Sequence, residues 1–129
     1  MSPDLRRIRG SLGEQIAADH LVAAGYEILD RNWRTRRGEL DLVAADAAAI
    51  VFCEVKARVA GGSSGPALAL DAVGPAKRRR LRHLATAWLR ERREEVGAPR
   101  REQLRFDAIG ITLSPTGGVV SLDHVVDAF

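Results

Sequence analysis

The chain has 129 residues and a mass of 14.0 kDa, which predicts one domain spanning residues 1–129. The balance of 46% hydrophobic and 29% charged residues, with a net charge of +3, excludes a disordered chain. The single cysteine excludes a disulfide framework and a cysteine-rich zinc site. Because no apolar run reaches the roughly 18 residues of a membrane span and no apolar signal segment follows Met1, we expect a cytoplasmic protein with no membrane partner.

The first half of the chain predicts a helix followed by three strands. Ser11 and Glu14 have the spacing of a capping box before an apolar-periodic stretch, although an earlier helix start near Ser2 stays open. Gly25 would end this helix. Strands are then predicted at 26–33, 39–44 and 50–56, with a turn at 36–38 and a short loop at 46–49.

The second half of the chain predicts a long helix and a final hairpin. A glycine-rich flexible loop is expected from Arg58 to Pro66, and a helix from about Pro75 to Glu95 with apolar residues at i, i+3, i+4 and i+7. Two strands, at 104–113 and 119–125, would form the hairpin. These elements together predict the α/β class, with a mixed five-stranded sheet flanked by helices.

Basic residues are concentrated in one segment. Residues 74–105 carry eleven basic and four acidic side chains, whereas residues 1–73 carry nine and ten. Such a patch is typical of a protein that binds a nucleic-acid backbone. A solvated helix face is the alternative, because 18 of the 20 basic residues are arginines. The candidate nucleic-acid-binding residues are Lys77, Arg78, Arg79, Arg80, Arg82 and Arg58.

Ionisable residues lie inside a strand that is otherwise apolar on both faces. Alternation places Glu54 and Lys56 on the same face, where burial of either charge without a partner is costly. If the preceding loop is centred between Ala47 and Ala48, residues i and 95−i lie opposite each other, which sets Asp41 against Glu54. These like charges repel, and a divalent cation such as Mg²⁺ between them would reverse the interaction.

A metal held by two carboxylates beside an ammonium group suits phosphodiester hydrolysis. The metal would polarise a phosphoryl oxygen and lower the pKa of a bound water, while Lys56 orients this water or neutralises charge on the phosphate.

Three alternatives stay open: Asp41 and Lys56 form an ordinary ion pair, Glu39 is exposed at a turn or pairs with Lys56, and Glu14 only closes its capping box. Cys53 is expected in the core. The histidines adjoin no nucleophile in sequence and predict no catalytic triad: His20, His83 and His124.

Several blocks of the sequence resemble a known family. They are Gly13-Glu14, Gly25-Tyr26, 31–34, 38–44, 52–58 and 105–109. Together they resemble the YraN family of small bacterial proteins and, through it, the PD-(D/E)xK nuclease superfamily, which includes archaeal Holliday-junction resolvases. The most specific blocks are Gly-Glu-Leu-Asp-Leu-Val-Ala and Phe-Cys-Glu-Val-Lys, with the spacing between them. The proline that names the superfamily is absent, and Leu40 stands in its place.

The resemblance implies a restriction-endonuclease-like core and a nuclease that acts on DNA, including branched DNA. It implies that Asp41 and Glu54 bind Mg²⁺ or Mn²⁺, that Glu14 reaches the site from the first helix, and that Lys56 assists the attacking water. Lys77 would then lie near the substrate. The alternatives are a non-catalytic nucleic-acid-binding protein on the same scaffold and a protein-interaction role. DNA or RNA as substrate, and a monomer or a homodimer, also stay open.

Overall fold

A five-stranded mixed sheet lies between two helices in the computed structural model, which describes residues 5–61, 74–93 and 103–129. The strands follow one another across the sheet in chain order, and among them β3 and β4 pair in parallel while the other neighbours are antiparallel. The predicted α/β class and mixed sheet are therefore confirmed. The elements are α1 (Leu5–Ala23), β1 (Glu27–Thr35), β2 (Gly38–Ala45), β3 (Ala49–Val59), α2 (Pro75–Arg93), β4 (Gln103–Leu113) and β5 (Val119–Val125).

Each face of the sheet buries its own apolar core. Because side chains alternate along a strand, β3 contributes to both cores: Val51 and Cys53 face α1, whereas Ile50 and Phe52 face α2. The two-sided central strand and the core position of Cys53 were both predicted and are confirmed. The second helix packs through the residues expected from its apolar period, which are Leu81, Leu84, Ala85 and Trp88.

The first helix begins earlier than the capping-box spacing indicated. It extends back to Leu5, so Ser11 lies in the helix interior and the prediction that Ser11 and Glu14 form a capping box is wrong. At the C-terminal end of α1, the prediction that Gly25 ends the helix is confirmed. Gly25 has a φ of +96° and donates from its amide to the Val22 carbonyl at 3.0 Å, while the Tyr26 amide donates to the Leu21 carbonyl at 2.9 Å. This is a Schellman motif, which the left-handed glycine makes accessible.

The remaining element boundaries differ from the predicted ones mainly at the ends of strands. The largest difference is in β3, which continues through Val59, so that Arg58 belongs to a strand and not to a loop. The reason is that β3 pairs with β4 along its whole length, which the sequence of β3 alone does not reveal. Residues 62–66 of the predicted loop and residues 94–95 of the predicted helix lie outside the described residues. In the part of the chain that is described, no helix is both long and apolar enough to cross a membrane.

A buried polar network fastens the C-terminal end of α1 to the sheet. Asp107 on β4 is fully buried and accepts hydrogen bonds from Arg105 at 2.8 Å, from His124 at 2.8 Å and from the Asp127 amide at 2.9 Å. His124 Nδ1 in turn lies 3.0 Å from Nε2 of His20 on α1. Burial alone would raise the pKa of Asp107, but these donors lower it overall, so the carboxylate stays charged.

The middle of α1 lies unusually close to β3. A Cβ atom placed on Gly13 would be 2.6 Å from the Cβ atom of Ala57, a distance that real side chains do not reach. Glycine at this position therefore allows α1 to approach the sheet, and it fixes the height at which Glu14, the next residue, lies above the strands. Gly10, one turn earlier on the same helix, has no atom within 4 Å of the corresponding position.

These two glycines predict opposite effects of the same substitution. Gly10→Ala should raise the free energy of unfolding by about 0.5–1 kcal/mol, because alanine is the better helix former and meets open space. Gly13→Ala has the same helical gain but overpacks the contact with Ala57, which typically costs about 1–3 kcal/mol, so the net effect should be a loss of stability. Urea denaturation of both variants measures the difference. A Gly13→Ala protein as stable as Gly10→Ala would contradict the close approach.

Candidate metal centre

The candidate site lies where β2 and β3 separate. The predicted register, in which residues i and 95−i are opposite, is confirmed for residues 42–45 with residues 50–53. The ladder ends there, so the predicted backbone pairing of Asp41 with Glu54 does not form. Instead, the Asp41 side chain takes the place of a backbone carbonyl, because its Oδ2 atom accepts a hydrogen bond from the Val55 amide at 2.8 Å.

Two local irregularities lie beside the point where the β2–β3 ladder ends. Leu40 and Leu42 are two residues apart but pack into the cores on opposite faces of the sheet, so the alternation of β2 breaks between them at Asp41. On the neighbouring strand β1, Asn32 has a φ of +50°, a conformation that asparagine adopts more readily than most residues. The Asn32 side chain also hydrogen-bonds to Glu14 on α1.

Three carboxylates converge at this break. One oxygen from each of Glu14, Glu39 and Asp41 lies within 4.8 Å of the other two, and all three residues are partly buried. Glu14 reaches the site from α1, as the family resemblance implied. The expectation that Glu39 is an exposed turn residue or a partner of Lys56 is wrong, because it belongs to this cluster and its ion pair, at 2.8 Å, is with Arg34. Its position two residues from Asp41 in one strand is the signal that could have predicted this.

Burial and neighbouring negative charges raise the pKa of Asp41 and of Glu14. Burial, followed by the charge of Glu54, raises the pKa of Asp41 to about 8, and Glu14 and Glu39 contribute in the same direction. Burial also raises the pKa of Glu14, although the hydrogen bond with Asn32 opposes the shift. Asp41 consequently retains a proton at neutral pH unless a cation compensates its charge.

Glu54 lies beside this cluster and is paired with a lysine. The Nζ atom of Lys77, in the first turn of α2, lies 2.5 Å from Glu54 Oε1, and the Glu54 side chain is only 13% exposed. Glu54 therefore approaches Asp41 closely enough to shift its pKa, but it is not one of the three carboxylates within 4.8 Å of one another. Its role as a metal ligand stays a prediction. Lys56 lies two residues further along β3 and is exposed.

The donor atoms of the three carboxylates fit a hard divalent cation. All are oxygens, which are the ligands that Mg²⁺ and Mn²⁺ prefer. Opposite ligands around Mg²⁺ are about 4.2 Å apart, twice the metal–oxygen bond length of about 2.1 Å. Adjacent ligands are only about 3.0 Å apart, so the three oxygens, which lie within 4.8 Å of one another, would have to move closer together to coordinate one ion.

The predicted nucleic-acid-binding residues divide into exposed and internally bound side chains. The Arg82 guanidinium lies 4.9 Å from the centre of the Phe106 ring and donates to the Phe129 carbonyl at 3.2 Å. Arg58 donates to the Thr112 hydroxyl at 3.3 Å. Lys77 is bound to Glu54, as described above. Arg78, Arg79 and Arg80 are exposed, and Arg82 is exposed as well despite these contacts.

Comparison with known proteins finds relatives over almost the whole chain. Residues 13–111 match the uncharacterised protein family UPF0102. A UPF0102 protein of Frankia casuarinae is 46% identical over 121 residues, which cover 93% of this chain and 94% of the relative. A UPF0102 protein of Rhodococcus opacus is 44% identical over 120 residues, which cover 93% of this chain and 94% of the relative. A UPF0102 protein of Streptomyces griseus is 44% identical over 115 residues, which cover 89% of this chain and 90% of the relative. The matched segment contains every carboxylate and lysine of the candidate site.

The raised pKa of Asp41 predicts how the metal-free protein responds to pH. Between its ordinary value near 4 and about 8, the folded protein retains a proton that the unfolded chain has released, so stability falls as the pH rises through this range. Asp41→Asn removes the titration and can still accept the hydrogen bond from Val55. In EDTA, the variant should therefore have a higher Tm than the wild type, with a larger difference at pH 8 than at pH 5.

Thermal denaturation across this pH range measures the effect, with Glu27→Gln, which neutralises an exposed carboxylate on β1, as the control. Adding Mn²⁺ at pH 8 should raise the Tm of the wild type and of Glu27→Gln, because an ion that binds only the folded state stabilises it. It should have little effect on Asp41→Asn. A variant less stable than the wild type at pH 8 in EDTA would contradict the assignment of Asp41 as a strained, like-charged carboxyl group.

Proposed function

The chain belongs to the uncharacterised protein family UPF0102, and we propose that it is a metal-dependent nuclease that hydrolyses phosphodiester bonds of DNA. The observation that carries the proposal is the convergence of Glu14, Glu39 and Asp41 within 4.8 Å, with the pKa of Asp41 raised to about 8. Perturbed carboxylates of this kind are characteristic of functional sites. The restriction-endonuclease-like core implied by the sequence resemblance, and a cytoplasmic location, are parts of the same proposal.

The three carboxylates would hold Mg²⁺ or Mn²⁺, which when bound polarises a phosphoryl oxygen and makes a coordinated water more acidic. The residues around them fix the ligands in place. The Val55 amide orients the Asp41 carboxylate, and Asn32 orients Glu14. Hydrogen bonds of this kind usually tune a metal site and keep its ligands in position.

Two lysines would act beside the metal ligands. Lys56 is exposed and stands on the same strand as Glu54, so its ammonium group is accessible to a phosphate. It would donate hydrogen bonds to a phosphoryl oxygen and stabilise the negative charge that develops there, or orient the attacking water. Lys77 would hold the Glu54 side chain beside the cluster, and the charge of Glu54, which acts on Asp41, would help to attract the cation.

The cleavage assay uses supercoiled plasmid and a four-way DNA junction with Mg²⁺ or Mn²⁺. We expect cleavage with either metal and none in EDTA. Asp41→Asn and Glu39→Gln should each lower the rate at least about 100-fold because each removes a ligand, and both should weaken Mn²⁺ binding measured by calorimetry. Lys56→Ala should lower the rate about 100–1,000-fold, the usual effect of removing one electrostatic donor, while Mn²⁺ binding stays unchanged.

Glu27→Gln is the matched control, because it neutralises a carboxylate on β1 that is exposed. It should cleave at the wild-type rate. Undiminished cleavage by Asp41→Asn would refute the site. If the wild type cleaves neither DNA with any divalent ion but binds DNA without metal and in a salt-sensitive way, the result favours the alternative of a non-catalytic nucleic-acid-binding protein.

A further inference from the structure

Two exposed basic elements border the carboxylate cluster. The turn between β1 and β2 carries Arg36 and Arg37, and it leads directly into Glu39. The first two turns of α2 carry Arg79 and Arg80, next to Lys77, which binds Glu54. Each basic element is therefore continuous in sequence with a residue of the site. The four exposed side chains are called the arginine surface: Arg36, Arg37, Arg79 and Arg80.

The turn and the helix are in contact. A Cβ atom placed on Gly38 would lie 3.5 Å from Cδ of Arg80 and 3.4 Å from Cδ1 of Leu84, which means that the stem of Arg80 packs against the end of the turn. Because Gly38 immediately follows Arg36 and Arg37, the backbone of the basic turn adjoins the basic first turns of α2.

Several other arginines of residues 74–105 already make contacts within the protein. Arg82 lies over the ring of Phe106, and Arg92 lies 5.0 Å from the ring centre of Trp88 and donates to a backbone carbonyl of β1 at 2.6 Å. Arg105 is held by the buried network around Asp107. These arginines would have to give up existing contacts before they could bind a phosphate, although Arg82 is itself exposed, as are Arg78 and Arg90 on the same helix.

The arginine surface has no aromatic side chain for stacking bases. The six aromatic residues of the chain all belong to the described part, and each is buried or partly buried. Proteins that bind unpaired bases normally stack them on exposed aromatic rings. Arginines without such rings contact phosphates, which form the continuous outer surface of a duplex. The aromatic residues are Tyr26, Trp33, Phe52, Trp88, Phe106 and Phe129.

We propose that the arginine surface binds the phosphate backbone of double-stranded DNA, independently of base sequence, and places a phosphodiester next to the carboxylate cluster. This inference builds on the proposed nuclease function and names the form of its substrate. It adds Arg36 and Arg37, on the β1–β2 turn, to the binding residues. It assigns Arg82 to the packing of α2 instead.

The test is fluorescence anisotropy with a labelled 25-base-pair duplex and with one of its strands alone, in EDTA so that no metal-dependent cleavage occurs. We expect the wild type to bind the duplex more tightly than the single strand, with little dependence on sequence. The double variants Arg36→Ala/Arg37→Ala and Arg79→Ala/Arg80→Ala should each weaken duplex binding at least tenfold at low salt. Each should reduce the slope of log K against log salt by about 2, since one phosphate contact contributes about 0.9.

Arg90→Ala is the matched control, because Arg90 is exposed on the same helix three turns from Arg79. It should leave the affinity within about twofold and the slope nearly unchanged. Circular dichroism and the Tm establish that every variant is folded. Tighter binding of the single strand than of the duplex, or unchanged slopes in both double variants, would overturn the proposal.

Cleavage assays on the same variants separate this inference from the proposed function. If duplex binding depends on the four arginines but the wild type does not cleave DNA with Mg²⁺ or Mn²⁺, the nuclease function fails and the duplex-binding surface stands. If the wild type cleaves DNA and the arginine variants bind and cleave as it does, the nuclease function stands and the arginine surface is refuted.

Discussion

The arrangement of the site depends on one partly buried carboxylate, Asp41, which is held among like charges where two strands separate. The Val55 amide fixes its position, and Glu14, Glu39 and Glu54 all act against its ionisation. A folded protein normally avoids such a group, because an uncompensated buried charge is costly. The charge is relieved only by a proton or a cation, so the geometry that strains the metal-free protein is also the geometry that would favour a divalent ion.

Both helices are needed to complete this arrangement. Gly13 lets α1 approach β3 closely and so sets the height of Glu14, while the network from His20 through His124 to Asp107 fastens the far end of the same helix. On the other face, α2 brings Lys77 to Glu54. Displacement of either helix would therefore remove a site residue and not only weaken the core, which couples the stability of the fold to the geometry of the site.

How much could be predicted from the sequence depends on the range of the interaction. Alternation and a short loop predicted the β2–β3 register correctly, because hairpin pairing is a local property. The same arithmetic could not show that the ladder stops before Asp41, because residue spacing gives the register of a hairpin but not the point at which its hydrogen bonds end. Contacts between distant segments, such as His20 with His124 and Glu54 with Lys77, leave no spacing signal in one sequence.

The basic segment shows the same limit for electrostatics. Its arginines are chemically identical and close in sequence, yet Arg82 lies over the Phe106 ring and donates to the Phe129 carbonyl, whereas Arg79 makes no such contact with the described residues. A charge count treats them alike, but an arginine that is already stacked and hydrogen-bonded must give up those contacts before it can bind a phosphate. Packing therefore reduces the positive charge that is available to a phosphate below what a count of arginines indicates. Cations around an anionic centre can attract a phosphate backbone while the carboxylates retain the metal that would act on it.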